Sequence, residues 1–358
     1  MATPPEVLFH RYFQITCPRR APVRPEDPDD RSYRGKHDVS RLPSDVQLFF
    51  TRLQQGMNEA LRNEKQNVPE HQDHPPFHFD YVDSDTENAL AFQYEGHSFI
   101  GITIPLVYRL WDVCLRLSGS QTITSLVGLD RNGCDREAMH VVLLQILTSL
   151  VVSHEYTHHV HGHLSADGAR SVEHQEIGDS GARGSLEEQI IEADADGYAV
   201  YHVLANLIDA SARSAVDLLR LADEPAGRQD QVLFACFVIA VAAHLFLRPA
   251  PALDQVGIYK LSHPPQAARM NLIMHNAIAW CWQNRPQLAT WMTVERFQLL
   301  MAAAAEATPG AGGAAIWTAQ TEFLKSAEGD AYFRKLDAGV KAHVQSLGPE
   351  QADAVQPL

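Results

Sequence analysis

Two histidines, His154 and His158, stand four residues apart at the end of the apolar stretch Val141–Val152. The apolar pattern predicts one long helix over about residues 135–161. Positions i and i+4 share one face of a helix, so both imidazoles can reach a single metal ion. Glu155, the next residue after His154, then lies beside a water molecule on that ion. The spacing therefore predicts a helix here and favours a metal centre at its end.

A second group of chemistry-bearing residues, Glu192 and Asp196, follows on a separate predicted helix. Ser185 and Glu188 form a capping-box sequence, which marks the start of that helix. Glu192 and Asp196 then share a face, so Glu192 can bind the metal while Asp196 accepts the second ring N–H of His154. The alternative is that both acids are merely solvated. Apolar neighbours argue against it, because unpaired carboxylates on a buried helix are costly.

A third motif, Ser262–Arg269, contains a His-Pro pair followed by an arginine. With the motifs at His154–His158 and Glu192–Asp196, in this order, the chain resembles the gluzincin zinc metallopeptidases. It is most similar to the family that contains the Ste-type CAAX prenyl protease, the HtpX heat-shock protease and the Oma-type mitochondrial protease. The resemblance covers about residues 80–285 and does not reach either end of the chain.

This resemblance implies a zinc-dependent endopeptidase that hydrolyses peptide bonds with a zinc-activated water. It also implies an oxyanion donor, for which His263 and Arg269 are the first candidates and Tyr198 and Tyr259 the lesser ones. The roles implied for the remaining residues are Zn²⁺ ligation by His154, His158 and Glu192, general-base catalysis by Glu155, and support of a ligating histidine by Asp196.

The membrane-embedded members of this family have several spanning helices, and the sequence predicts none here. A prenyl-protein or membrane-quality-control substrate is therefore not implied. The run His154–His163, in an acidic chain without a signal segment, also resembles the Lit-type phage-exclusion peptidases, which are cytoplasmic proteins that cleave a translation elongation factor. Both resemblances stay open, and both imply a peptide or protein substrate.

Each assigned role has a structural alternative. A fourth ligand from His159 or His161 would close the zinc site, and the protein would then be a non-catalytic, zinc-stabilised binding protein. Alternatively, the histidines only cap the free backbone carbonyls at the end of their own helix. Arg269 could form a structural ion pair, with Ser262 capping a helix that begins at Pro264.

The charge of the chain excludes two classes of partner. Lys and Arg number 29 against 44 Asp and Glu, which gives a formal net charge of −15. Nucleic acids and anionic membranes require clustered Lys and Arg. The sequence has no such cluster, so neither partner is expected.

Cysteine usage and the first residues indicate a cytoplasmic protein. The five cysteines contain no Cys-x-x-Cys pair, which argues against a disulfide framework and a Cys-type zinc site. The N-terminus lacks the basic and apolar regions of a secretory signal. The most membrane-like window, Val232–Leu247, is shorter than the roughly 20 residues that span a bilayer, and we interpret it as a buried helix.

The pattern along the chain predicts an α+β, zincin-like fold that is mostly helical with a small antiparallel or mixed sheet. Short aromatic and β-branched segments lie between residues 77 and 104, and helical patterns follow them. The predicted parts are an extended N-terminal arm at 1–45, a zincin-like peptidase domain at 46–306, and a linker with a C-terminal helical extension at 307–358.

Two further segments are predicted to contact the substrate or to cover the cleft. Ser98–Ile104 is predicted to be the edge strand nearest the metal, against which a peptide substrate would pair as an added strand. The Gly- and Ser-rich stretch Ser165–Gly184 connects the two predicted metal-bearing helices. It is interpreted as a lid over the cleft or as a surface loop.

Overall fold

The computed structural model describes residues 3–16, 33–67, 75–130, 135–164, 184–208, 213–247, 257–308 and 313–347. The chain divides into two compact units. The first contains Met1–Arg109 and Glu155–Gly178, and the second contains Leu110–His154 and Asp179–Leu358. The predicted domain bounds at residues 45 and 306 stay a prediction.

The described residues are mostly helical, with one mixed four-stranded sheet, which agrees with the predicted α+β class. The strands are β1 (Gly35–Lys36), β2 (Phe77–Asp83), β3 (Ala89–Tyr94) and β4 (His97–Thr103). The helices are α1 (Pro5–Thr16), α2 (Ser44–Asn67), α3 (Ile104–Gly119), α4 (Gln121–Val127), α5 (Arg136–Val160), α6 (Leu186–Ile208), α7 (Arg213–Leu218), α8 (Ala226–Phe246), α9 (Gln266–Asn284), α10 (Pro286–Trp291), α11 (Val294–Ala307), α12 (Gly313–Lys325) and α13 (Ala327–Ser346).

The sheet of the first unit has the strand order β1-β2-β4-β3. β2 and β4 are parallel, with Phe77 opposite Ser98, while β3 and β4 form an antiparallel hairpin. β4 is thus paired on both sides, and the prediction that Ser98–Ile104 is an edge strand is wrong. The cause is the hairpin, because its tight turn places β4 between the strand before it and β2.

The turn of this hairpin contains two residues with positive φ, Glu95 at 44° and Gly96 at 74°. Tyr94 and His97 face each other across it. Two consecutive residues with positive φ match the right-handed twist of antiparallel strands, so this two-residue turn is a favoured hairpin connection. Glycine adopts this conformation without steric cost, which explains its presence in the turn.

The N-terminal segment is not fully extended, contrary to the prediction for residues 1–45. Residues Pro5–Thr16 form α1, whose aromatic residues Phe9, Tyr12 and Phe13 recur at the spacing of one helical face. Tyr12 stacks on Phe92 of the sheet, with ring centroids 3.9 Å apart. Burial of these rings accounts for the helix, which covers the sheet of the first unit.

Helix α8 forms the centre of the second unit, and its residues from Val232 to Phe246 are all buried. This confirms the interpretation of Val232–Leu247 as a buried helix. By length and composition alone, two described helices could cross a membrane, Arg136–Val160 and Ala226–Phe246. Because most of the apolar window of each is buried inside the protein, and core helices have the same composition, this is weak evidence for a span.

The C-terminal helices also belong to the second unit. Tyr332 and Leu336 of α13 are completely buried, in a cluster with Ala193 of α6 and with Ala268 and Leu272 of α9. The predicted C-terminal helical extension therefore packs on the helices that carry the second and third motifs. It is part of the core of its unit.

Replacing Phe9 by alanine tests the packing of α1. Phe9 has no solvent exposure and contacts the rings of Phe13, Phe92 and Phe99. We expect its loss to lower the free energy of unfolding by about 3–5 kcal/mol, as for other buried phenylalanines. Unfolding in urea, monitored by far-ultraviolet circular dichroism, measures this change.

The control is Val7→Ala on the same helix, since Val7 is 47% exposed. That change is expected to stay within about 0.5 kcal/mol of the parent protein. Equal effects of the two substitutions would show that α1 is not packed on the sheet.

Candidate metal centre

Helix α6 begins where the capping box predicts. The backbone N–H of Ser185 donates to Glu188 Oε2 at 2.9 Å, and the N–H of Glu188 donates to Ser185 Oγ at 3.1 Å. These reciprocal bonds satisfy backbone donors that the first turn of a helix leaves without intrahelical partners. Glu192 and Asp196 follow in the next turns and are buried, so they are not solvated surface acids.

His154 of α5 lies between these two carboxylates. Its Nδ1 is 2.9 Å from Asp196 Oδ1, and its Nε2 is 3.2 Å from Glu192 Oε2. A carboxylate that accepts the Nδ1–H proton fixes the ring orientation and leaves Nε2 with a lone pair. This is the arrangement expected for a metal-ligating histidine, with Glu192 positioned as a second donor.

His158 follows one turn after His154 on α5. A ligand atom of each histidine and a carboxylate oxygen of Glu192 lie within 4.8 Å of one another, so these three buried residues could hold a metal ion. Nδ1 of His158 is also 3.0 Å from Nδ1 of His163. Two imidazoles and a carboxylate are donors that zinc accepts. The identity of the metal does not follow from the donors alone.

His159 is one of the two residues predicted as an alternative fourth ligand. Its Nε2 is 2.9 Å from the backbone carbonyl oxygen of Phe99, to which it can donate, and its ring packs edge-on against Phe77. These contacts tie the last turn of α5 to the sheet within the first unit. They give His159 a structural role and do not support its assignment as a fourth ligand.

Arg269 of α9 binds both carboxylate oxygens of Asp196. Its Nε donates to Oδ2, and its Nη2 donates to Oδ1 at 2.7 Å. This is the structural ion pair that was the alternative to an oxyanion role for Arg269. The proposed cap by Ser262 is not formed, because α9 begins at Gln266 and has no side-chain cap.

Two opposing effects act on the pKa of Asp196. Burial alone would raise the pKa of this carboxyl, but the Arg269 guanidinium and His154 outweigh burial and hold the pKa below its usual range. The ionised form is therefore the stable one at neutral pH. An ionised Asp196 accepts hydrogen bonds from both of its partners.

His263 lies next to the candidate ligands. Its Nε2 is 3.0 Å from Glu192 Oε2, and its Nδ1 is 3.1 Å from Ser262 Oγ. The side chain of His263 is 11% exposed, compared with 2% for His154 and none for Glu192. Among these three residues it is the one with the most contact with solvent.

The two tyrosines considered as lesser oxyanion donors have packing contacts of their own. Tyr198 is buried, and its ring centroid lies 4.4 Å from that of His202. Tyr259 packs edge-on against Tyr332 at 5.6 Å, and the amine of Lys335 lies over its ring. Tyr259 thus belongs to the core cluster of the C-terminal helices, and neither contact supports an oxyanion role.

The charges of the motif residues suit a divalent cation. Glu155, Glu192 and Asp196 are buried carboxylates, while Arg269 is the one buried guanidinium among the predicted site residues. With neutral imidazoles these four side chains carry a formal charge of −2. Because buried charge is costly unless it is balanced, a dication bound by two histidines and Glu192 fits this group.

Comparison with known proteins does not identify a family. No family model matches the chain, and no curated protein or solved structure matches it. The proposed lid Ser165–Gly184 lies outside the described residues except for its last residue, Gly184.

The contribution of Asp196 to stability should depend on pH in one direction. Its pKa is lowered on folding from an ordinary value of 3.8, so its stabilisation is present above that value and is lost as the pH falls through the folded-state pKa. We expect metal-free Asp196→Asn to be less stable than the parent protein by about 3 kcal/mol at neutral pH, since Arg269 loses its buried counter-charge.

Urea unfolding of both metal-free proteins at a series of pH values measures this difference. It should shrink as the pH falls below 3.8. Glu187→Gln, at an exposed position of the same helix, should show no such dependence. A difference between parent and Asp196→Asn that stays constant with pH would contradict the assignment of an ionised Asp196.

Proposed function

We propose that the protein is a zinc-dependent peptidase of the gluzincin type, with His154, His158 and Glu192 as its zinc ligands. The observation that carries the proposal is the placement of His154 between Asp196 at 2.9 Å and Glu192 at 3.2 Å. In zinc sites a ligating histidine typically donates one ring N–H to a carboxylate, as Nδ1 of His154 can to Asp196. The other ring nitrogen then faces the metal and its remaining ligands, as Nε2 of His154 faces Glu192. The spacing of His154, Glu155 and His158 adds a base to this donor set.

Zinc in such a site supplies Lewis acidity, which lowers the pKa of water to about 7 and polarises a scissile carbonyl group. Glu155 accepts a proton from the attacking water and delivers it to the leaving amine. Asp196 keeps His154 in the tautomer whose Nε2 carries the lone pair. Arg269 holds Asp196 through two charge-assisted hydrogen bonds.

We assign the oxyanion role to His263. Its Nε2 lies 3.0 Å from Glu192 Oε2, so this nitrogen reaches the edge of the donor set. A donor at that place can hydrogen-bond the oxygen of a carbonyl group as negative charge develops on it. Arg269 is assigned to Asp196 instead, because both hydrogen bonds given above occupy it there.

The substrate class in this proposal is a peptide or protein. The order of the three motifs favours the family of the Ste-type, HtpX and Oma-type proteases, and a Lit-like peptidase specific for one folded cytoplasmic protein is the second choice. A cytoplasmic location is part of the same proposal. The formal net charge of −15 disfavours nucleic-acid substrates and anionic membrane surfaces.

One observation favours a second function, a zinc-stabilised binding protein without catalysis. The side chains of His154, Glu155, His158 and Glu192 are at most 2% exposed. Structural zinc sites are closed, whereas catalytic sites keep one position open to water and substrate. In this second function Glu155 has no proton to transfer.

Glu155→Gln separates the two functions, because it removes the base while keeping the shape of the side chain. We expect zinc-loaded parent protein to cleave an unbiased peptide library and Glu155→Gln to cleave it at least about 100-fold more slowly, the usual size of a general-base effect. Zinc content, measured by mass spectrometry of the metal, should be the same in both proteins.

Glu137→Gln is the matched control, since Glu137 lies on the same helix at an exposed position. It should leave cleavage unchanged. Full zinc occupancy without cleavage by the parent protein would favour the binding protein. Equal cleavage by the parent and Glu155→Gln would contradict the peptidase mechanism proposed here.

A further inference from the structure

A buried glutamine, Gln189, lies one turn before Glu192 on α6 and has no solvent exposure. Its side-chain amide nitrogen donates to two backbone carbonyls, those of Ile258 at 2.8 Å and Leu261 at 2.9 Å. Both hydrogens of the amide are used in this way. The two carbonyls belong to the short stretch of chain that leads into His263.

A third hydrogen bond fixes the orientation of this amide. Tyr332 of α13 donates its hydroxyl hydrogen to Gln189 Oε1 at 2.5 Å. If the amide were turned over, Oε1 would face two carbonyl oxygens, which repel it. Tyr332 and the two carbonyls therefore select the same orientation of Gln189.

The backbone before α6 reaches the same stretch of chain. The N–H of Gly184 donates to the carbonyl of Lys260 at 2.6 Å. A Cβ at Gly184 would lie 2.2 Å from the carbonyl oxygen of Leu261, so only glycine allows this approach. The start of α6 thus holds three carbonyls, at residues 258, 260 and 261, immediately before His263.

Helix α13 is pressed closely against α6 at this level. A Cβ at Gly339 would lie 2.2 Å from Cδ1 of Ile190, which is next to Gln189. Tyr332 is completely buried in the same contact region. The packing of α13 on α6 therefore fixes the position of the Tyr332 hydroxyl next to Gln189.

We infer that Gln189, oriented by Tyr332, is a positioning residue that holds the His263 side chain in its place beside Glu192. Glu192 and Gln189 are on one helix, so the bonds of Gln189 to residues 258 and 261 fix the distance between that helix and the histidine. The catalytic consequence rests on the function proposed above, since it gives His263 a task at the reacting carbonyl. The placement of His263 can be measured without that function.

The first test measures the placement of His263 in metal-free protein. Diethyl pyrocarbonate modifies accessible neutral imidazoles, and mass spectrometry gives the rate for each histidine. We expect Tyr332→Phe, which removes one hydroxyl, to raise the rate at His263 about 10-fold. The exposed His275 and the buried His140 should keep their rates, because the change is local.

Tyr81→Phe is the matched control, because the hydroxyl of Tyr81 is likewise buried and donates one hydrogen bond, to the backbone carbonyl of Phe50 at 3.0 Å, in the other unit. It should not change the rate at His263. Gln189→Leu, which removes both donors, should act in the same direction as Tyr332→Phe and more strongly. An unchanged rate at His263 in Tyr332→Phe overturns the inference.

The second test asks whether Tyr332 acts on cleavage through His263. We expect Tyr332→Phe to lower kcat/KM about 10-fold in the parent protein and less than twofold in a His263→Ala background. A general structural effect would reduce cleavage equally in both backgrounds and would overturn the inference. If no variant cleaves peptides, the proposed function fails, and the modification rates alone decide the placement of His263.

Discussion

The carboxylate of Asp196 joins the three helices that carry the candidate metal centre. It lies on α6, accepts the Nδ1–H of His154 from α5, and binds the guanidinium of Arg269 from α9. A carboxylate in a buried position is costly unless it is paired and hydrogen-bonded, so these contacts are mutually dependent. The orientation of His154, and with it the direction of its Nε2, follows from this one buried group.

Local patterns in the sequence predict the parts of the site that lie on single helices. The spacing of His154 and His158 predicts that both imidazoles share one face of α5, and the capping box at Ser185 predicts the start of α6. These signals depend on neighbours within one or two turns, which a sequence displays directly. The i,i+4 spacing of Glu192 and Asp196 is a local signal of the same kind, and both are buried on α6.

The role of Gln189 could not be predicted in this way. A glutamine within a helix has good intrinsic propensity and usually indicates a solvated position. Its partners at Ile258, Leu261 and Tyr332 are 69, 72 and 143 residues away in the sequence, and no local period connects them. The same limitation explains the wrong assignment of Ser98–Ile104 as an edge strand, because strand order depends on pairing partners and not on alternation within a strand. The helix Pro5–Thr16 is a different case, because the helical spacing of Phe9, Tyr12 and Phe13 is a local signal, and the prediction of an extended arm is wrong for these residues.

The separation of the site residues along the chain also connects metal binding to folding. His154 and Asp196 are 42 residues apart, and Asp196 and Arg269 are 73 apart, so the unfolded chain has no preformed site. Whatever free energy a divalent cation gains from its buried donors is then gained by the folded state alone. The cation would also balance the charge of the buried carboxylates, which otherwise opposes the burial of α6. Replacing His154, Glu192 or Asp196, which all belong to the second unit, is therefore expected to change the folding of that unit and the affinity for the metal together.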